Sequence, residues 1–500
     1  MLRSLTSRPA VSLILASLLL AGHQASLNSA PCESSEECKQ IYNSHYECDK
    51  NLCIREHYSY SSREVFGFGL IIIISCITNS GGVGAGTVIV PVYVAYLSFV
   101  SSDAVHLSRI TIFAGALIGY FVNWKQRGAK NKDRLLINYN LGAIMIPLHL
   151  GGAEIGVIIG RFLPAMLVTL MLLYFLGLAL YKTYKRAVEE SKKENRELVK
   201  AQVPQIDSPE RRNSVTNQIR HTEAHPEAPD PKTSRSLEKQ ADNSKSIEEQ
   251  PQIQQQQENH DEVIYKESFE TVKLEALVSQ QYVNFAIIAA AFFTCLMSAL
   301  IRGGQGRPSI LGWPPCTNAS WKIIYLSQFI TGSLAYWGYK RNLSTLEKQS
   351  RETMTMRTDR AMRAKLFLAS YLTGIASGVV GVGGGMILSI YMLSLGVDVT
   401  QAGALSLFAV LFSASSTSVQ SLIAGGIHLR HAYIVMMMSL LGAFLGTFGL
   451  KRFIQKKKKP SIILWILVVV LSIATIVVPI QMVSAVISSP LSSLALGSFC

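Results

Sequence analysis

The sequence predicts an all-α polytopic membrane protein built from two inverted repeats, each opening on a glycine-broken helix pair, re-entrant or hairpin. Three observations carry this. Apolar residues gather in long runs, one glycine-rich pattern occurs twice, and basic residues mark opposite sides of matching loops in the two copies.

The runs come first. Hydrophobic residues make up 49% of the 500 residues and charged residues only 16%, less charge than a soluble domain carries. Val283 to Ile301, Ala432 to Leu450 and Ile462 to Ile480 each match the ~20 residues a helix needs to cross a bilayer. The net charge of +14 then reports topology, because Lys and Arg concentrate in cytoplasmic loops. No nucleic-acid partner is expected.

The chain divides in order. Residues 1–30 read as a signal peptide: Arg3 and Arg8 start it, Val11 to Ala21 is apolar, and small residues follow from Ala25 to Ala30. An uncleaved first helix is the alternative, but the apolar stretch is short for a span. Residues 31–64 form a luminal segment with Cys32, Cys38, Cys48 and Cys53. Behind a signal peptide these read as two disulfides whose pairing stays open. Residues 65–181 are the first transmembrane repeat. Residues 182–281 are polar and cytoplasmic, with a low-complexity tract from Gln250 to Gln257, and are expected to be disordered. Residues 282–339 supply two linking transmembrane helices, 340–364 a cytoplasmic loop, 365–481 the second transmembrane repeat and 482–500 a tail.

The repeat rests on three matches in one order. Gly82 to Ile89 (GVGAGTVI) aligns with Gly381 to Leu388 (GVGGGMIL). Ala104 to Ser108 (AVHLS) aligns with Ala402 to Ser406 (AGALS), and Arg161 aligns with Arg452. Fixed order at nearly constant offset is the mark of an internal repeat. Charge sets the orientation of the copies. The loop with Lys125, Arg127, Lys130, Lys132 and Arg134 is cytoplasmic, whereas its counterpart, Gly425 to His431, carries Arg430 alone besides two histidines. The next loop reverses this: Arg161 in the first copy, Lys451, Arg452 and Lys456 to Lys459 in the second. Equivalent loops on opposite sides mean inversion. Parity closes with eight full crossings (105–123, 135–159, 163–181, 282–301, 321–339, 403–425, 427–450 and 461–481) if each broken segment returns to its own face. Asn318 then lies in a luminal glycosylation sequon, while the sequon at Asn342 is cytoplasmic and silent.

Glycine inside an apolar helix is unfavourable unless the break has a use. A break frees the amides that open its second half-helix, and those amides attract anions. The candidate substrate-binding residues are therefore Gly82, Gly84, Ala85, Gly86 and Thr87 in the first copy. Gly381, Gly383, Gly384, Gly385 and Met386 are their counterparts in the second, with Ser406 beside them. Close small-residue helix packing is the alternative reading. Arg109 lies inside an apolar helix and joins the candidates as an anion partner, against the alternative of snorkelling to the interface. His106 and His149 are read first as structural, with proton relay as the second option. Glu154 is a coupling carboxylate or a luminal mouth residue, and Asp103 and Asp398 read as helix caps. No Ser/His/Asp set, metal spacing or nucleotide fold is present in the pattern, so no enzyme, metal or cofactor is expected.

The Gly381 to Leu388 run, followed by Ala402 to Ser406, resembles the sulfite exporter TauE/SafE family of membrane permeases. The first copy, with Pro91 closing Gly82 to Val90, fits the same pattern. The cysteine head and long central loop resemble eukaryotic members. The resemblance implies transport of sulfite or organosulfonates, with a small sulfur anion and the lipid bilayer as partners. Leu407 stands where a second Arg109 would be, against a symmetric two-arginine site. Alternating access is the expected mechanism, in the plasma membrane or an endomembrane. The competing reading is a channel-like or receptor-like protein that binds partners without transport.

Overall fold

The computed structural model describes residues 32–41, 46–49, 52–55, 58, 60–80, 86–99, 101–127, 135–202, 281–303, 309–313, 317–353, 360–381, 383–394, 397, 399–423, 429–450 and 461–488. Among the described residues, the regular structure is helical apart from one short hairpin. The head holds α1 (Ser35–Ile41) and the antiparallel strands β1 (Tyr46–Asp49) and β2 (Leu52–Arg55). A disulfide joins Cys32 to Cys48, closing a sequence separation of 16, and Cys38 is disulfide-bonded as well.

Two five-helix series follow. The first is α2 (Ser62–Ser80), α3 (Gly86–Ala95), α4 (Ser101–Asn123), α5 (Tyr139–Phe162) and α6 (Ala165–Gln202). Then come α7 (Tyr282–Arg302) and α8 (Asn318–Thr353). The second series is α9 (Arg360–Val380), α10 (Gly385–Ser394), α11 (Val399–Ile423), α12 (Leu429–Phe444, continued as a π-helix Leu445–Leu450) and α13 (Ser461–Ser488). Among the described residues, seven helices are long and apolar enough to cross a membrane: α2, α4, α5, α6, α7, α11 and α12 with its π-turns. This is an integral membrane protein. Shorter apolar stretches lie in α9 and α13. The expected span at 321–339 lies in α8 but is not among the seven, because Lys322, Ser327, Gln328, Thr331 and Ser333 dilute it. Its outward Tyr325, Phe329, Tyr336 and Trp337 are exposed, as suits lipid contact.

Three helices outrun their expected ends. α6 continues to Gln202, α8 to Thr353 and α13 to Ser488. In α6 the extension is rich in Ala, Lys, Glu and Arg, and it spaces Lys185 with Glu189 and Arg186 with Glu190 as i,i+4 pairs. These are strong helix formers in mutually supporting register. The segment 182–202, expected to be disordered, is therefore helix. The helices up to Glu190 and from Leu277 form one compact unit, and 191–276 form a second whose described part is the end of α6.

α3 and α10 have 10 residues each, about 15 Å of helix, or half the ~30 Å hydrocarbon core. Each follows a long helix after a glycine-rich break. The series pack crosswise. The fourth helix of the first series, α5, lies on the first helix of the second, α9. A Cβ on Gly152 would sit 2.2 Å from the Tyr371 carbonyl oxygen, and one on Gly156 2.2 Å from that of Ile375. From the other side, Gly374 and Gly378 would meet the carbonyls of His149 and Ala153 at 2.2 and 2.3 Å. The contact is backbone on backbone. Its mirror lies between α12 and α2, where a Cβ on Gly442 would collide with the Ile72 carbonyl oxygen and one on Gly446 with that of Cys76. Only glycine lets helices approach this closely.

The third helices, α4 and α11, also pack together. Arg109 meets Ser421, Gly119 meets Leu407, and Tyr120 stacks on Phe408 at 5.3 Å. The numbering falls on one helix as it rises on the other, so they run antiparallel.

A candidate anion site at the second glycine break

The second break joins α9 to α10. Gly381, Gly383 and Gly384 have φ of +72°, +75° and +62°, a left-handed region that L side chains enter only with strain. Close approach adds to this. A Cβ on Gly381 would meet Val105 Cγ1 at 2.6 Å, and one on Gly383 would meet Ile112 Cγ2 at 2.7 Å. A Cβ on Gly384 would meet His149 Cε1 at 2.5 Å and Nε2 at 2.7 Å. Both steric demands select glycine. Gly385 opens α10 and is buried. Met386 lies in its first turn.

The carbonyls that end α9 need partners, and α4 supplies them. Ser108 Oγ donates to the Gly381 carbonyl at 3.0 Å. Arg109 Nη2 donates to the Gly378 carbonyl at 2.9 Å, and its Nη1 donates to Ser421 Oγ at 2.5 Å. His106 Nδ1 lies 3.2 Å from Arg109 Nη1 and 2.9 Å from Ser421 Oγ. Arg109 is 4% exposed, so it does not snorkel. It places a cation at the C-terminal end of α9, where the helix dipole favours one. One break thus collects a cation, three left-handed glycines and the start of a half-helix.

His149 closes this site from α5. It is fully buried, its Nδ1 lies 3.3 Å from Thr373 Oγ1, and Nε2 has no partner among the described residues. The mirrored contact is Ser75 with Ser439, whose hydroxyls lie 3.3 Å apart. Ser75 and Thr373 are related by the same offset as Ala104 and Ala402, and Ser439 and His149 by that of Gly442 and Gly152. One interhelical bond therefore occurs in both halves, with histidine in one and serine in the other.

Of the first break, Gly82, Gly84 and Ala85 lie outside the described residues, as does the side chain of Thr87. Gly86 opens α3 and is buried. Asn79, in the last turn of α2, packs its amide against Gly115 of α4 and donates to the Ser75 carbonyl at 2.8 Å. Ser406 is fully buried and donates to the Gly403 carbonyl at 2.9 Å, a bond within its own helix. Asp103 lies in the first turn of α4, inside the helix, while Asp398 and Arg452 lie outside the described residues.

Glu154 lies elsewhere. It faces α7 and α8, where Ser298 Oγ donates to Oε1 and Ser327 Oγ to Oε2, both at 2.5 Å. Gln328 donates from Nε2 to the same carboxylate at 3.3 Å, and its Oε1 accepts from the Tyr371 hydroxyl at 3.1 Å. It is fully buried, so it is not a mouth residue. Asn342 is also spoken for: its amide donates to Asn284 Oδ1 at 2.9 Å and to the Gly338 carbonyl. Asn318 is exposed at the first turn of α8.

Sequence reading passed over Gly152, Gly156, Gly374 and Gly378. Their signal was present as four-residue glycine spacing in apolar helices. His149 carried no local motif at all.

The profile of the family described as "Sulfite exporter TauE/SafE" matches residues 67–216 and 272–478. The chain belongs to the sulfite exporter TauE/SafE family. Its two matched parts hold both glycine breaks and omit part of the polar segment. Among curated TauE/SafE proteins of Arabidopsis thaliana, sulfite exporter TauE/SafE family protein 5 is 25% identical over 419 residues, 83% of this chain and 82% of that protein. Family protein 1 is 25% identical over 406 residues, 80% and 79% of the two chains. Family protein 2 is 21% identical over 422 residues, 81% and 80%. No solved structure matches this member of the family.

Proposed function

We propose that the protein is a membrane transporter for small anions, with sulfite or an organosulfonate as substrate. The observation that carries this reading is the second break, where buried Arg109 and the opening of α10 meet around three left-handed glycines. A helix N-terminus and a desolvated cation together favour an anion. The family's printed description supports sulfite as its class.

The mechanism we infer is alternating access between two inverted series. The antiparallel α4 and α11 support inversion, since equivalent helices related by an axis in the membrane plane run in opposite directions. The half-length α3 and α10 are the discontinuous helices such an arrangement uses. The disulfide head supports passage through an oxidising compartment, and Asn318 is the glycosylation site on that side.

The test is uptake of labelled sulfite and of a labelled sulfonate into proteoliposomes holding the purified protein. Saturable uptake is expected. A folded protein that moves no sulfur oxyanion in either direction sinks the transporter reading and favours a channel-like or receptor-like role.

A further inference from the structure

The hydrogens around His149 can be counted. Thr373 Oγ1 already gives its hydrogen to the Ser370 carbonyl at 2.9 Å. It is left to accept from His149, so Nδ1 carries the hydrogen of that bond. In the neutral ring, Nε2 is then a bare lone pair, fully buried and set against Gly384, one residue before α10 begins. A lone pair repels an oxyanion. One proton between them turns repulsion into a charge-assisted hydrogen bond.

We propose that the second break binds its oxyanion together with one proton, shared between the anion and His149 Nε2. This rests on reading the break as an anion site. The proton has two sources with one chemistry. Either the ring binds it and Nε2–H donates to the anion, or the anion arrives with an O–H that donates to Nε2. In both, one N···H–O bridge forms and the bound complex holds one proton more than the free anion and neutral ring. At the equivalent position on α12, Ser439 gives its hydrogen to the Thr111 carbonyl and accepts from Ser75, so that crossing carries no titrating ring.

The other ionisable groups near this helix pair are accounted for. Arg109 on α4 is tied to the Gly378 carbonyl and Ser421, with His106 beside it. Glu154 lies five residues beyond His149, roughly 140° around α5. It is held with Cys295 and Arg302 of α7, and Tyr371 of α9 points to Gln328 in the same group. The α11 helix carries no ionisable residue, and α10 carries Tyr391 in its last turn.

The experiment is titration calorimetry of the purified full chain at about pH 8, where an ordinary imidazole is neutral. Binding of sulfite and of methanesulfonate is measured in two buffers of different ionisation enthalpy, which reads the protons taken up. Wild-type protein should take up about one proton per anion bound. His149→Gln, whose amide can donate directly, and His149→Ser, which copies the first half, should bind about tenfold more weakly with no uptake. Equal uptake with both anions places the proton on the ring, and uptake with sulfite alone places it on the ligand; either supports the proposal. Binding without uptake by wild-type protein, or uptake that persists in both variants, overturns it. Should neither variant fold, wild-type uptake still decides. A folded wild-type protein that binds neither anion overturns the underlying anion-site reading, and this inference with it.

Discussion

The two halves of the molecule share a backbone plan and differ in what they place on it. In each, a fourth helix lies glycine to backbone on the first helix of the other half. In each, one hydrogen bond ties that pair, between Thr373 and His149 or between Ser75 and Ser439. Yet Arg109 and His149 both serve the second break, and Leu407 and Ser439 occupy their places in the other half. The repeated parts are those that fix geometry. The parts that differ carry charge and hydrogens. Among the described residues, a buried cation and a buried imidazole gather at the second break.

That comparison can be broken in stages. The largest effect should come from the crossings, which the two halves share. Gly378→Val and Gly446→Val each drive a side chain into a carbonyl and should destabilise by about 3 kcal/mol or more. Thermal unfolding in detergent should show both losses; a tolerated valine at either crossing would mean that the close contact is dispensable. Next is Gly384→Ala, which combines a left-handed φ with collision against His149. Strain of about 1–2 kcal/mol is expected, with sulfite uptake reduced at least about tenfold in protein that still folds. Gly384→Val should abolish uptake altogether. Arg109→Leu makes the second half like the first and removes the cation that faces α9. It should cost about 1–3 kcal/mol for the unmet Gly378 carbonyl and abolish saturable uptake. Arg109→Lys should recover stability better than transport if the guanidinium also meets substrate. Smallest is Asn284→Ala in the amide cluster with Asn140 and Asn342, away from both breaks. A loss of about 1 kcal/mol with unchanged uptake is expected, measured by unfolding and by transport rate.

The helices were legible because bilayer burial writes itself into composition, and the break before α10 because glycine clusters are rare in apolar runs. The crossings were harder. Gly152, Gly156, Gly374 and Gly378 stood in plain spacing, but spacing does not say which helix a glycine stripe meets. The extent of α6 was missed because a charged segment reads as loop until its i,i+4 register is checked. At the second break, sequence marked the glycines and Arg109 but not what Arg109 touches. His149 lies far along the chain from Gly384 and meets it only after two helices are pressed together. No local pattern encodes such a meeting.

The crosswise contact also governs how the chain is made. Gly152 and Gly156 have their seat on α9, more than two hundred residues later in synthesis. Ile72 and Cys76, near the start, meet Gly442 and Gly446 of α12 later still. Neither half can finish folding before the other leaves the ribosome. The first helices must enter the bilayer and wait, glycine stripes open to lipid, until their partners arrive. Assembly is thus a joint event of the whole chain, and a truncation anywhere before α12 leaves both halves unfinished.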